Sequence, residues 1–202
     1  MSNQDYETVL VGICGFKGSG KDTVALHLCE KYGFYQLSFA NILKRVTSII
    51  FGWDYEMLLG LTEESRIKRE EVDEWWTEKL NLGVDITPRN IMQFLGTDLF
   101  RDQFHKDIWV LQVERQMYNI RKEFGHTKFV ISDCRFENEI EWMKLFSNHK
   151  IIHIHRDSHY YNIIDSLHIS ETEWLNHKCH YELLNDGTIT KLYDSINKLD
   201  FL

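Results

Sequence analysis

Positive charge, paired cysteines and long apolar runs are all scarce in this sequence, and each shortage removes a class of protein. Its 202 residues hold 23 Lys and Arg against 31 Asp and Glu, for a formal charge of −8 and a pI near 5.7. Phosphate polymers select basic faces, so nucleic acid is excluded as the main partner, while small anions remain open to local clusters. Cys14, Cys29, Cys134 and Cys179 are scattered without CxxC spacing. That gives no disulfide or zinc framework and suits free thiols in a reducing cytoplasm. No apolar run reaches the ~18 residues a membrane span needs, and Met1 to Glu7 is polar, so a protein neither secreted nor membrane-embedded is expected. One proline, no biased segment and no internal repeat leave the composition of a folded chain. The length predicts a single domain over 1–202.

The pattern along the chain alternates. Thr8 to Cys14 is a β-branched apolar run that stops at a glycine-rich turn, as a buried parallel strand does. A helix is predicted over Asp22 to Tyr32 with Gly33 just past its end. Phe34 to Phe39 reads as a short strand. Ala40 to Phe51 reads as a helix with Ile42, Leu43, Val46, Ile49 and Ile50 on its apolar face. The acidic stretch 53–86 is predicted to be a helical insertion on the acceptor side, its Trp75-Trp76 pair packing the inserted helices or stacking on a base. Thr87-Pro88 reads as an N-cap and first helical residue, opening a helix to about Phe104. Another helix spans Asp107 to Phe124. Strands at Lys128 to Asp133, Lys150 to His155 and His180 to Leu184 follow, with a helix from Asn138 to Phe146 and, after Asn185-Asp186-Gly187, a closing helix to about Leu199. Such alternation predicts a three-layer α/β/α fold with a five-stranded parallel sheet, whose ligands lie beyond the strands' C-terminal ends.

Gly15-Phe16-Lys17-Gly18-Ser19-Gly20-Lys21 fits GxxxxGK directly after a strand and directly before a helix. Glycines there let successive backbone N–H groups turn inward, and the helix N-terminus adds partial positive charge, so a phosphate chain is cradled. Lys21 is positioned to bridge the β and γ phosphates of ATP. Asp22 stands where most such loops place Ser or Thr, so Thr23 is the first candidate for the hydroxyl near Mg²⁺. Asp22 either reaches that ion through water or caps the helix.

Asp133 ends the FVIS strand and is a candidate to hold the water shell of Mg²⁺, its alternative being an N-cap. Arg135 follows in the same loop. Phosphoryl transfer needs cations around three oxygens, and arginine forks suit them. Arg45, Arg89, Arg101, Arg135 and Arg156 fall near predicted strand ends or helix starts, where surface salt bridges compete with phosphate contacts. His153 and His155 alternate on one strand face, but no third metal ligand is evident, so buried packing is the reading.

Taken in order, GFKGSGKDT (15–23), LSFANILK (37–44), TPRNIMQFLGTDLFR (87–101), DIWV (107–110), ISDCRFENE (131–139), HIHRD (153–157), HISE (168–171) and NDGT (185–188) resemble the deoxynucleoside monophosphate kinases of viruses and phages, within the P-loop nucleoside monophosphate kinase superfamily. The resemblance implies transfer of the ATP γ-phosphate to a dNMP, giving dNDP. It implies ATP contacts from Gly15, Lys17, Gly18, Ser19, Gly20, Lys21, Asp22 and Thr23, with Asn185 and Gly187 against adenine. Thr23 and Asp133 would serve Mg²⁺, while Lys44, Arg89, Arg101 and Arg135 would face the acceptor. Lys21, Asp133, Arg135 and Arg156 form the implied catalytic set, and 157–172 a lid, although no arginine-rich run lies in it. The competing readings are a kinase of another phosphorylated metabolite, of the phosphomevalonate or dephospho-coenzyme A type, and a nucleotide-binding regulatory protein without turnover. A small nucleotide is the expected partner in the cytoplasm, of a host cell if the chain is viral, and a homodimer is left open.

Overall fold

The computed structural model describes residues 8–156 and 173–202, so the expected lid over 157–172 lies outside the described residues. The chain forms two compact units, Met1–Ser38 with Val110–Leu202, and Phe39–Trp109.

The first unit is built on five parallel strands in the order β2-β3-β1-β4-β5: β1 Val9–Cys14, β2 Tyr35–Leu37, β3 Lys128–Ile131, β4 Asn148–His155 and β5 Tyr181–Leu184. β1 takes the centre, with Val9 beside Lys128 on one flank and beside Asn148 on the other. Its residues are buried on both faces, which is what a strand between two helical layers requires. Val11 and Ile13 join Val24, Ala25 and Leu28 of α1 (Lys21–Tyr32) and Leu192 and Ile196 of the last helix, Ile189–Ile196, in one core cluster. On the opposite face a Cβ placed on Gly12 would lie 2.6 Å from Met143, in the helix Glu137–Met143. That glycine lets the helix approach the sheet. The expected three-layer fold is therefore observed, with its strands shorter at the edges than the sequence pattern suggests.

The second unit carries no strand among its described residues. Its helices are α2 Asn41–Phe51, α3 Tyr55–Leu59, α4 Glu63–Lys68, α5 Glu74–Leu80 and α6 Pro88–Gln93. Caps explain their starts: Asp54, Thr62, Asp73 and Thr87 each accept a backbone N–H of the following turn. Thr87 and Asn90 form a reciprocal capping box that encloses Pro88 at the first helical position, as Thr87-Pro88 suggests.

Two expectations here need correction. The apolar face assigned to α2 is only partly used, since Ile49 and Ile50 are 82% and 54% exposed while Leu43 and Thr47 are buried. Ile49 lies two residues beyond Thr47 and is thus turned about 200° away from the packed stripe. The helix expected to run evenly from Pro88 to Phe104 changes form after Gln93, and Phe94–Phe104 is a π-helix. Within it, Gly96 accepts a 2.8 Å hydrogen bond from the Trp109 indole, and a Cβ at Gly96 would meet Leu43 at 2.7 Å. A wide helical turn at this position satisfies a buried indole N–H that an apolar surrounding would penalise.

Candidate functional site

The site begins at the carboxyl end of the central strand, where backbone amides must turn. Gly15, Gly18 and Gly20 take φ values of 149°, 80° and 105°, a region that side chains rarely enter. Space is a second constraint at two of them. A Cβ on Gly15 would come within 2.3 Å of the Ile154 carbonyl, and one on Gly20 within 2.6 Å of the Asn185 amide, whereas Gly18 faces open space. Gly20 is the N-cap of α1, so the helix axis starts directly at the loop.

Lys21 folds back over this loop and donates to the carbonyls of Gly15 at 2.7 Å and Phe16 at 2.8 Å. Its ammonium is therefore held at the loop's mouth. Ser19 is 4% exposed, and its hydroxyl is buried with no hydrogen-bond partner. Such an orphan costs about 1–3 kcal/mol and is a fitting donor for a phosphate oxygen. Lys17 and Gly18 are exposed at the loop's tip, and Thr23 is half-buried in the first turn of α1.

Three polar links fasten neighbouring elements to this cradle. Asn185, just past β5, is buried and donates to the Ser19 carbonyl at 2.8 Å, while its own backbone N–H donates to His155. Arg156 donates through Nε to the Asn185 carbonyl at 3.2 Å. Gly187 is exposed two residues further on, where an added Cβ would meet the Lys191 side chain at 2.6 Å. The third link is a chain from the edge of the sheet: Gln36 donates to Ser132, whose hydroxyl donates to Asp22 at 2.8 Å.

Asp133 accepts from the Ser38 hydroxyl at 2.7 Å, which joins the ends of β2 and β3. It does not cap the next helix. That task falls to Glu139, 2% exposed, whose carboxylate accepts the backbone N–H groups of Arg135 and Phe136. Asp22 likewise is not a cap, because Gly20 holds the N-cap position without any side-chain bond. Both carboxylates can accept up to about four hydrogen bonds or metal contacts each, so the bonds from Ser38 and Ser132 orient them without exhausting them. Oxygen donors of this kind, with the Thr23 hydroxyl, fit Mg²⁺.

Arg135 sits half-buried on the loop after β3. Lys44, Arg89 and Arg101 belong to the second unit. There Lys44 donates to the Leu59 carbonyl at 3.5 Å, Arg89 meets Glu70 at 3.4 Å, and Arg101, 8% exposed, donates to the Lys106 carbonyl at 3.4 Å. Arg45 lies over the Tyr55 ring. Ser38, Ser132, Gln36 and Glu139 were not among the sequence candidates. Ser38 does lie in the LSFANILK segment, and Ser132 and Glu139 in ISDCRFENE, while Gln36 has no signal but its place in a strand.

A family model for deoxynucleotide monophosphate kinases matches residues 51–196 of this chain. The chain belongs to that family. A protein of Acanthamoeba polyphaga mimivirus named a deoxynucleotide monophosphate kinase is 33% identical over 196 residues, covering 93% of this chain and 94% of the relative. The deoxynucleoside-5'-monophosphate kinase of Escherichia phage T5 is 25% identical over 210 residues, covering 78% of each. Among solved structures, a dephospho-CoA kinase from Campylobacter jejuni aligns over 95% of both chains with 15% identity and a TM-score of 0.48. As a deoxynucleotide monophosphate kinase family member, the chain is a phosphotransferase, and no described helix is long and apolar enough to cross a membrane.

Proposed function

We propose that this enzyme transfers the γ-phosphate of ATP to a deoxynucleoside monophosphate, giving ADP and dNDP, by direct in-line displacement. The observation that carries this reading is the cradle itself: the orphan Ser19 hydroxyl, the Lys21 ammonium and a glycine backbone that no Cβ could replace at Gly15 or Gly20. An oxygen of the acceptor phosphate attacks the γ phosphorus as the bond to the β–γ bridging oxygen breaks, and charge spreads over three oxygens.

In this reading the amides from Gly15 to Gly20 and the Lys21 side chain hold the donor's β and γ phosphates. Lys21 exchanges two carbonyl partners for phosphate oxygens, so a lysine already in place gains charge-assisted bonds without being ordered anew. Thr23 and Asp133 would hold Mg²⁺, with Asp22 reaching it through water, and the ion would neutralise charge on the donor phosphates. Asn185 and Gly187 line the adenine side, and Lys17 screens the donor from the loop's tip. Lys44, Arg89, Arg101 and Arg135 recognise the acceptor's phosphate and base, with Arg89 giving up its ion pair to Glu70. Arg156, held on the Asn185 carbonyl, joins Lys21, Asp133 and Arg135 in the catalytic set.

The partner is a small nucleotide rather than a polymer, in keeping with the −8 charge. The four cysteines are free, which supports a cytoplasmic setting. Incubation of the purified protein with ATP, Mg²⁺ and a panel of dNMPs and NMPs tests the proposal by ADP release. Turnover with at least one dNMP is expected; ATP binding without turnover on any member would sink it and leave a regulatory nucleotide-binding protein.

A further inference from the structure

Beside the phosphate cradle lies a second cavity, of about 450 Å³, that the kinase reading does not use. It is lined by Cys14, His153, Trp174, Cys179 and Glu182 among others. Sheet register brings part of this lining together. Cys14 of β1 is level with His153 of β4, and His153 is level with Glu182 of β5, so the three stand in one row across three strands. Cys179, two residues before β5, completes the group. One donor atom each from His153, Cys179 and Glu182 lies within 4.8 Å of the others.

We propose that His153, Cys179 and Glu182 form a binding site for a divalent ion of the zinc class, with the fourth coordination position open to the cavity. The sequence offered His153 and His155 as a strand pair lacking a third ligand. The fold supplies two more donors, from a different strand and the turn before it, and on His153 alone. A thiolate, a neutral imidazole and a carboxylate are a donor set chosen by Zn²⁺ and not by Mg²⁺, and their summed charge of −2 balances the ion.

The geometry is close to what such an ion needs. Metal–ligand lengths of about 2.0–2.3 Å at tetrahedral angles set ligand atoms roughly 3.3–3.6 Å apart, so the present separations close by side-chain rotation. Glu182 is exposed and Cys179 half-buried, which leaves both able to turn. Burial, and then the neighbouring His155, pushes the His153 ring down to about 4, which favours the neutral imidazole form that a zinc-class ion binds. Burial and Glu182 raise the Cys179 thiol. Metal entry therefore displaces the Cys179 proton to solvent as the sulfur–metal bond forms. The result would tie the turn before β5 to β4.

Cobalt(II) is the probe, because a thiolate on tetrahedral Co²⁺ gives a charge-transfer band and visible ligand-field bands. The whole protein, stripped with a chelator, is titrated with Co²⁺ and then with Zn²⁺. One equivalent of Co²⁺ is expected, with a one-thiolate band that Zn²⁺ bleaches, and with a higher melting temperature in the Zn²⁺ form. Cys179→Ser should lose the band and the thermal shift. Glu182→Gln should keep the band but weaken affinity at least about 10-fold, since loss of even an outer partner costs that much. His153→Gln risks disturbing β4, so the two less buried variants carry the test. Absence of a thiolate band in the parent protein, its survival in Cys179→Ser, or unchanged affinity in Glu182→Gln would overturn the site. Phosphotransfer with Mg²⁺ is read separately and is expected to persist in Cys179→Ser.

Discussion

The Ser38 hydroxyl donates to Asp133 at 2.7 Å, tying together the loops that leave the neighbouring parallel strands β2 and β3. A carboxylate held this way has one orientation instead of several, which suits the metal role proposed for Asp133.

Replacing Ser38 with Ala should therefore cost stability of about 1 kcal/mol, the size of one ordinary hydrogen bond, and raise the Mg²⁺ concentration giving half-maximal rate. Asp133→Asn should cut kcat far more while leaving the melting temperature nearly unchanged. Equal kcat in Asp133→Asn and the parent protein would remove Asp133 from the metal's neighbourhood.

Lys21→Ala should lower kcat on the order of 10²–10³-fold, the loss seen when one fixed donor to a developing charge is removed. Its partners are loop carbonyls that water can serve, so circular dichroism and thermal unfolding should change little. Unaltered turnover would refute the assigned role.

Alanine at the three loop glycines separates space from backbone strain. Gly15→Ala and Gly20→Ala force a Cβ onto the Ile154 carbonyl and the Asn185 amide and should abolish ATP binding by calorimetry. Gly18→Ala meets nothing and bears only the left-handed backbone cost of about 1–2 kcal/mol, so measurable ATP affinity should remain. Equal loss in all three would point to the positive φ alone.

Asn185→Ala strips the Ser19 carbonyl of a buried donor. A stability loss of about 1–3 kcal/mol is expected, together with weaker ATP binding, because the loop loses its side-chain tie to the residue after β5. Denaturant unfolding with and without ATP measures both. A variant as stable as the parent would show that the Asn185 side chain does not brace the loop.

Much of this was legible in the sequence, for identifiable reasons. β1, β3 and β4 announce themselves because a strand covered on both faces is written in Val, Ile and Leu without alternation. The phosphate loop is legible because its glycines answer local demands of turn and helix start. Thr87-Pro88 is legible because a cap acts within one helical turn. The bonds from Ser38 to Asp133 and from Asn185 to Ser19 span 95 and 166 residues, and nothing local encodes them. The π-helix over Phe94–Phe104 depends on where Trp109 sends its indole, and the exposure of Ile49 depends on which stripe of α2 its neighbours cover. Arg89 shows the same limit, since its partner Glu70 belongs to the run that reads from sequence only as an acidic surface.

The central place of β1 has a consequence for how the chain comes into being. Val9 is made early, yet both strands that hydrogen-bond to it begin only at Lys128 and Asn148. At ribosomal speeds of about 5–20 residues per second, an interval of roughly six seconds or more separates the strand from its first flanking partner. Throughout that wait an apolar ribbon with two bare edges is exposed on a nascent polypeptide, and a holding chaperone would find in it an obvious client.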